Sequence, residues 1–456
     1  MEFDRSKKPK DTAEINFKLP GIEKFSIKNG LKVIFVEKNN LPIINLNLVI
    51  NAGSKFDPTD EQGAAYLTAM AIDEGAGNLS ALELDNEIES LGSVLGVSVD
   101  HDTFNISLLT LKENFARSLE LMSDIAIRPN FDDRDFIREK QKLLTKLRQV
   151  KDEPSYIAST VFEKIIFGNL PYSTPIMGTA ETVQSISNSG IKRFYSERFS
   201  ALDSTMIVVG NLNRQELENN LNNYFDKWDG ERVIDTHPGN IDRGKTKYIL
   251  INKADAPQTE IRIGHLSTGR NTRDYYSKII MNTILGGQFS SRINLNLRED
   301  KGYTYGASSS FIFNRFSGYF KISTAVQSQV TGAAIKEILN ELNRIREGIK
   351  NSEIDFAKSF LIKRYPALFE TYSQVSKNLI TSVLYSLPDD YFNTYIEKIR
   401  SCTKEEITEA AEKNIHPEEL VVIAVGDKNV IGPQLGELTE KDIIELDYLG
   451  NAIAGS

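Results

Sequence analysis

The sequence is poor in the residues that build metal and thiol chemistry. Its 456 residues include one cysteine, Cys402, and four histidines. A single thiol excludes an internal disulfide and a cysteine-rich metal site. The histidines are His101, His237, His265 and His416, and no two of them have the short spacing that a helix-borne metal pair requires. The sequence therefore contains no histidine-pair metal motif.

The chain also has fewer basic than acidic residues. Lys and Arg number 54 against 63 Asp and Glu, so the formal net charge is −9. A general nucleic-acid binder needs an excess of cations to neutralise phosphates, and we expect no nucleic-acid partner. Hydrophobic residues make up 40% of the chain and charged residues 26%, which is ordinary for a globular protein of two or three domains.

Long apolar runs are missing too. No segment approaches the roughly 20 apolar residues that span a bilayer, and the N-terminal stretch MEFDRSKKPKDTAEINFKLP lacks the apolar core of a signal peptide. We therefore expect a cytoplasmic protein without a membrane span. A chain whose signal peptide had been removed would have the same features, so a periplasmic location stays open.

The order of the predicted elements repeats along the chain. Residues 24–228 and residues 246–456 each read as strand, helix, paired strands and helix, and each half closes with an apolar strand that ends in glycine. The polar stretch 229–245 between them contains glycine and proline and predicts a linker, and residues 1–23 predict an N-terminal tail. The repetition predicts two homologous α+β domains, each with helices packed on a mostly antiparallel sheet.

Four segments of the chain carry a family resemblance. They are NGLKVIFVEKNNLPIINLNLVINAGSKFDP (Asn29–Pro58), GAAYLTAMAIDEG (Gly63–Gly75), PYSTPIMGT (Pro171–Thr179) and FSSRINLNLREDKGYTYG (Phe289–Gly306). In order and separation they resemble the pitrilysin or insulinase class of zinc peptidases, family M16, over nearly the whole chain. The closest type is its small bacterial branch, which is similar to the mitochondrial processing peptidase subunits. The resemblance implies that the two domains form one half of a clam-shell peptidase assembly.

The resemblance also implies a zinc motif, His-x-x-Glu-His, on the helix that follows an Ala-Gly-Ser turn. Histidines at i and i+4 share one helical face and bind one zinc, and the glutamate between them is the general base for zinc-bound water. The matching positions in this chain are Tyr66, Ala69 and Met70. The later glutamate that completes the metal shell falls at or near Lys146.

These four residues do not retain the chemistry of the motif. Tyr66 and Met70 are poor zinc ligands, and Ala69 cannot act as a base. Lys146 places a positive charge where the metal would lie. We therefore expect no metal and no other cofactor in this chain, and we interpret Tyr66 and Met70 as core-facing helix residues.

A second pattern of the family is retained. Active assemblies of the resembling enzymes use an Arg and a Tyr from the second half of the fold, and these match Arg298 and Tyr305 in LREDKGYTYG. A tyrosine hydroxyl can donate a hydrogen bond to the oxyanion of peptide hydrolysis, and a guanidinium can hold a neighbouring carbonyl group. Without the family context, the pair is typical of a surface ion pair beside a half-buried ring. The glycine-rich substrate loop of the processing subunits is reduced here to Gly286-Gly287, and its role stays open.

The resemblance implies a non-catalytic subunit of a heterodimeric zinc metallopeptidase. Such a chain is inactive alone, and its partner carries the zinc and the His-x-x-Glu-His motif. Arg298 and Tyr305 would act in trans on a peptide enclosed between the two chains. The alternative is a structural or scaffold protein with the same fold and no role in proteolysis. An independent peptidase has little support, because no nucleophile-elbow motif is present and Cys402 has no matched histidine.

Overall fold

The structure consists of two sheets with helices packed against them. The computed structural model describes residues 15, 17–232, 244–440 and 442–453, and within these residues each sheet has six strands. The strands of the first sheet are β1 (Ile22–Ser26), β2 (Lys32–Glu37), β3 (Ile43–Ile50), β4 (Val94–Val99), β5 (Phe104–Leu111) and β6 (Ser204–Gly210). The strands of the second sheet are β7 (Lys247–Asn252), β8 (Gln258–Ser267), β9 (Ala307–Phe313), β10 (Gly318–Gln327), β11 (Val421–Gly426) and β12 (Ile444–Leu446).

Helices connect the strands in both halves of the chain. Those of the first half are α1 (Ala64–Ala71), α2 (Ala81–Ser90), α3 (Phe115–Ile127), α4 (Asp133–Val150), α5 (Pro154–Phe167), α6 (Ala180–Ser185), α7 (Asn188–Arg198) and α8 (Arg214–Phe225). Those of the second half are α9 (Tyr275–Leu285), α10 (Arg292–Asn294), α11 (Thr331–Glu347), α12 (Asn351–Arg364), α13 (Tyr372–Leu384), α14 (Tyr391–Ser401), α15 (Lys404–Asn414) and α16 (Lys428–Gly436). The short α10 continues into one π-helical turn, Leu295–Asp300.

The two sheets share one core topology. Their strand orders are β1-β2-β6-β3-β5-β4 and β12-β7-β11-β8-β10-β9, so that β2 and β6 correspond to β7 and β11. Both of these pairs are parallel, as is β7 with β12, and the other neighbours are antiparallel. The central strands β6 and β11 are buried at every position, which explains their apolar runs, Met206–Val209 and Val421–Val425. The predicted pair of α+β domains with mostly antiparallel sheets is confirmed.

One helix of each half packs on the sheet of the other half. α5 packs across β8 and β11 of the second sheet, and α13 packs across β3 and β6 of the first sheet. Phe162 of α5 is fully buried in this contact, and Gly264 of β8 leaves room for it, because a Cβ there would lie 2.9 Å from the ring. Tyr372 of α13 donates a hydrogen bond to the Lys38 carbonyl and accepts one from the Leu41 N–H, both at 2.9 Å. The two domains are therefore interlocked.

The described end of the predicted tail packs on the second half of the chain. The Phe17 ring lies 5.2 Å from the Tyr365 ring and 4.7 Å from the Phe369 ring, measured between centroids. Leu19 is buried, and its N–H donates a hydrogen bond to the Asn393 side chain at 3.0 Å. This segment adds a further link between the N-terminus and the helices of the second domain.

Two predicted segments lie partly outside the described residues. They are the linker 229–245, of which residues 233–243 are not described, and the tail 1–23, of which residues 1–14 and 16 are not described. The domain boundaries at these segments stay predictions. In the part of the chain that the structure describes, no helix is both long enough and apolar enough to cross a membrane.

The interlocked core predicts the effect of truncating a side chain of α5. Phe162→Ala should lower the free energy of unfolding by about 3–5 kcal/mol, the usual cost of removing a buried aromatic ring. Because the ring joins both halves, urea transitions followed by fluorescence of Trp228, the only tryptophan, and by far-UV circular dichroism should shift together. The control is Phe356→Ala, since that side chain is 47% exposed. A Trp228 transition that keeps its wild-type midpoint would show that the halves unfold separately.

Candidate functional site

The helix that carries the altered motif is fixed at its first turn. The Asp57 carboxylate accepts hydrogen bonds from the N–H groups of Gly63 and Ala65, each at 2.8 Å, and so satisfies donors that the start of α1 leaves free. Burial raises the pKa of Asp57 to about 7. Gly63 has a φ of 98°, a left-handed conformation that glycine adopts without strain. This anchored turn sets the position of α1 against α4.

Two of the four altered motif positions are in direct contact. Lys146 Nζ donates a hydrogen bond to Tyr66 Oη at 2.8 Å and lies 5.3 Å from the centroid of the Tyr66 ring. Ala69 is buried. Met70 is half-buried and packs against the hydrophobic core of the first domain. A phenol, a methyl group, a thioether and an ammonium do not fit a zinc ion, which takes imidazole, thiolate or carboxylate donors. The predicted motif positions thus present a cation beside a phenol, and their match to the zinc motif stays a prediction.

A salt-bridge network occupies the neighbouring turns of α1 and α4. Glu139 is 3% exposed and pairs with Arg138 Nε at 3.0 Å and with Lys142 Nζ at 2.6 Å. Arg138 also pairs with Glu74, just after the end of α1. Asp73 beside it is half-buried, and burial raises its pKa to about 6. Glu74 and Glu139 are therefore engaged with cations.

The retained Arg–Tyr pair lies in the second half of the chain. Arg298 belongs to the π-helical turn, a form of helix that is frequent at functional sites. Its guanidinium carbon lies 4.5 Å from the centroid of the Phe289 ring, and its Nε lies 3.4 Å from the Glu299 carboxylate. Tyr305 is 90% exposed, and its hydroxyl makes no hydrogen bond to any residue that the structure describes.

These side chains line one open groove. The groove has a volume of about 540 Å³, and Arg298, Tyr305 and Phe289 line it together with Gly286-Gly287. Glycine is required at position 286 because a Cβ there would lie 2.4 Å from the Ser309 Oγ. The structure thus brings together the two predicted site residues and the glycine pair whose role the sequence left open.

One buried side chain that sequence reasoning missed holds the groove in shape. Asn294 is 4% exposed, and its Nδ2 donates a hydrogen bond to the Phe289 carbonyl at 2.7 Å. Its Oδ1 accepts one from the Ala307 N–H at 3.0 Å. The carboxamide therefore ties the segment before Arg298 to the strand after Tyr305. A polar residue inside the apolar pattern Ile-Asn-Leu was the available sequence signal.

The two sets of predicted site residues are separate within one chain. Among the described residues, no hydrogen bond, ion pair or ring contact joins Tyr66 or Lys146 to Arg298 or Tyr305. The first set lies on α1 and α4 of the first half, and the second set follows α10 of the second half. The geometry of a single chain therefore does not assemble both sets into one site.

Two family models match most of the chain. The model described as "Insulinase (Peptidase family M16)" matches residues 32–180, and the model described as "Peptidase M16 inactive domain" matches residues 185–361. A "Non-peptidase homolog YmxG" of Helicobacter pylori is 23% identical over 87% of this chain and 92% of that protein. An "Uncharacterized zinc protease" of Rickettsia bellii is 25% identical over 73% of this chain and 80% of that protein.

Solved structures share the fold. A peptidase M16 inactive domain from Pseudomonas fluorescens superposes with a TM-score of 0.82 at 24% identity, covering 89% of this chain and 98% of that one. A protease from Helicobacter pylori superposes with a TM-score of 0.83 at 19% identity, covering 89% of this chain and all of that one. The two-domain arrangement is therefore shared at low sequence identity.

The role of Asn294 predicts a local change in hydrogen exchange. Asn294→Leu keeps a similar volume but removes both hydrogen bonds, so the Ala307 amide should exchange faster than in the wild type. The measurement is hydrogen–deuterium exchange of a peptide that contains Ala307. The control is Asn296→Leu, because Asn296 donates to Glu337 and Glu341 on α11 instead. Unchanged exchange at Ala307 would mean that Asn294 does not hold the groove.

Proposed function

The chain belongs to the M16 peptidase family, the insulinase family, and from this premise we propose that it is the non-catalytic subunit of a heterodimeric zinc metallopeptidase. The partner subunit holds the zinc in a His-x-x-Glu-His motif. This chain supplies Arg298 and Tyr305 in trans to a peptide substrate. The proposal includes a cytoplasmic location and no nucleic-acid partner.

The proposal depends on a difference between the two sets of residues: the motif residues bond to each other, whereas the groove residues are open to another molecule. On the motif helix, Tyr66 is bonded to Lys146 and no zinc-ligand set remains. At the groove, Arg298 and Tyr305 line the same open surface; Arg298 is half-buried, and Tyr305 is 90% exposed. Side chains that another molecule contacts need this exposure. The name of the Helicobacter pylori relative, a non-peptidase homolog, also supports a chain that does not cleave peptides alone.

The groove residues supply two kinds of stabilisation. The Tyr305 hydroxyl donates a hydrogen bond to the oxyanion that forms when the scissile carbonyl is attacked, and such donors act mainly on the transition state. The planar Arg298 guanidinium donates to the carbonyl oxygen of a neighbouring substrate residue and fixes the peptide against the groove. Phe289 supports the guanidinium from one side. The partner's zinc, when bound, supplies the activated water.

The test uses this chain mixed with a zinc-motif homologue from the same genome. Tyr305→Phe should lower the turnover of the complex by roughly 10²–10³, the usual effect of losing one oxyanion donor. Complex formation, measured by size-exclusion chromatography, should not change. The matched control is Tyr303→Phe, two residues earlier on the same loop, which should retain turnover.

Three outcomes would count against the proposal. If the complex with Tyr305→Phe keeps wild-type turnover, Tyr305 does not stabilise the oxyanion at the partner's site. A stable complex that cleaves nothing in a broad peptide library would instead favour the scaffold alternative. Stoichiometric zinc in this chain alone would contradict the interpretation of the Tyr66 and Lys146 positions.

A further inference from the structure

An apolar pocket adjoins the groove that Arg298 and Tyr305 line. The pocket has a volume of about 310 Å³ and lies where the end of α9, the short α10 and the first turns of α12 meet. Gln288 lines both the pocket and the groove. The next two residues of this loop divide between the cavities, since Phe289 lines the groove and Ser290 lines the pocket. The two cavities therefore share one wall.

The segment that carries Arg298 also contributes to both cavities. Asn294 and Arg298 line the groove, whereas Arg292 and Leu295 line the pocket. Leu295 directly follows Asn294, whose hydrogen bonds hold the groove in shape. The same side chain therefore fixes where the pocket lies relative to the groove, and a peptide held by Arg298 can extend a nearby side chain into the pocket.

The lining of the pocket is mainly apolar and partly open to solvent. Ile284 and Ala357 are buried parts of it. Leu295 and Phe356 are large hydrophobic side chains of the same lining, and both are exposed. Phe289 of the adjoining groove is exposed as well. Exposed apolar side chains that cluster around a cavity mark a binding surface.

The charges of the pocket are satisfied within the chain. Among the described residues that line it, only Arg292 and Glu353 are charged. They form a two-pronged ion pair, with Nε 2.7 Å from Oε1 and Nη2 2.8 Å from Oε2. The guanidinium also donates to the Gly348 carbonyl at 3.0 Å, and the carboxylate accepts from the Lys350 N–H at 2.9 Å. The pair thus joins α10 to α12 and leaves the pocket suited to an uncharged occupant.

We propose that this pocket binds a bulky apolar side chain of the peptide that lies along the groove. The side chain contacts Leu295 and Phe356, while Arg298 holds the peptide backbone in the groove. Apolar walls and a neutralised ion pair favour an aromatic or long aliphatic group over a charged one. The inference rests on the proposed function, because it names the substrate preference of the same groove.

The first experiment measures the binding of capped pentapeptides to the full chain alone by saturation-transfer NMR titration. N-acetyl-Gly-Ser-Phe-Ser-Gly-amide carries one bulky apolar side chain, and its match has alanine at the central position. The phenylalanine peptide should bind more tightly by about tenfold or more, the usual effect of burying an aromatic side chain. A third peptide with aspartate at the centre should bind no more tightly than the alanine peptide.

The matched variants place a phenyl ring inside or outside the pocket. Ser352 is exposed and lines the pocket, so Ser352→Phe should fill the pocket without disturbing the core and should abolish the preference for phenylalanine. Asn351→Phe adds the same ring one residue earlier, at an exposed position outside the pocket lining, and should keep the preference. Phe356→Ala removes one wall and should reduce it. Equal binding of the phenylalanine and alanine peptides, or a preference that persists in Ser352→Phe, would overturn the proposal.

The second experiment digests a broad peptide library with the complex of this chain and the zinc-motif homologue. Bulky apolar residues should be enriched at one fixed position relative to the cleaved bond. Ser352→Phe should remove this enrichment, and Asn351→Phe should retain it. Cleavage without the enrichment would overturn the pocket and leave the role of Tyr305 standing. A complex that cleaves nothing would count against the proposed function, and binding to the chain alone, which needs neither zinc nor partner, would then decide on the pocket.

Size-exclusion chromatography of the same mixtures tests the other occupant of the pocket. Ser352→Phe should form the complex as the wild type does, because a substrate side chain enters the pocket only after assembly. Loss of the complex in Ser352→Phe, with normal assembly of Asn351→Phe, would show that the partner subunit covers the pocket and would overturn the proposal.

Discussion

The exchange of helices between the two halves is the constraint on which the rest of the structure depends. Only three residues separate the end of α4 from the start of α5, so the packing of α5 on the second sheet also fixes the C-terminal end of α4. The ion pair between Lys253 and Asp152, at 2.8 Å, joins the connecting turn to the second half. Lys146 lies about one turn before that end. The position of its ammonium group is therefore set by contacts in both halves, although its partner Tyr66 belongs to the first.

The charges around α4 explain why a lysine at position 146 is compatible with its neighbours. Glu139, Lys142 and Lys146 lie at i, i+3 and i+7 on α4 and share a face of the helix. Glu139 already uses its neighbouring cations as partners. A second carboxylate at position 146 would have no metal to neutralise it once the histidine positions are Tyr66 and Met70. A lysine instead finds an aromatic face and a hydroxyl acceptor. If these residues occupy the zinc-motif positions, as the sequence predicts, the loss of metal donors and the presence of a cation at position 146 are linked by charge.

The sequence was sufficient for features that depend on residue type and local pattern. Repeated apolar strands predicted two similar sheets, which the structure confirms. The residue types at the motif positions, such as Tyr66, predicted that this chain binds no zinc, and this stays a prediction. The helix exchange was not predictable, because it depends on contacts between residues far apart in the chain, such as Phe162 and Gly264. Asn294 was missed for the same reason, since its two partners lie on either side of Arg298 and are joined only in the folded groove.

Each half of the chain presents a cation and a phenol, but the two pairs are organised differently. In the first half, Lys146 and Tyr66 are bonded to each other before any ligand arrives. This hydrogen bond fixes the position of the ammonium group relative to the phenol. In the second half, no hydrogen bond joins Arg298 to Tyr305 within the described residues, and the Tyr305 hydroxyl is free. A donor that finds its acceptor only when charge develops stabilises the transition state more than the bound substrate. The two pairs thus differ in whether the cation and the phenol are already joined, and the role proposed for Tyr305 needs a hydroxyl that is free to meet its acceptor.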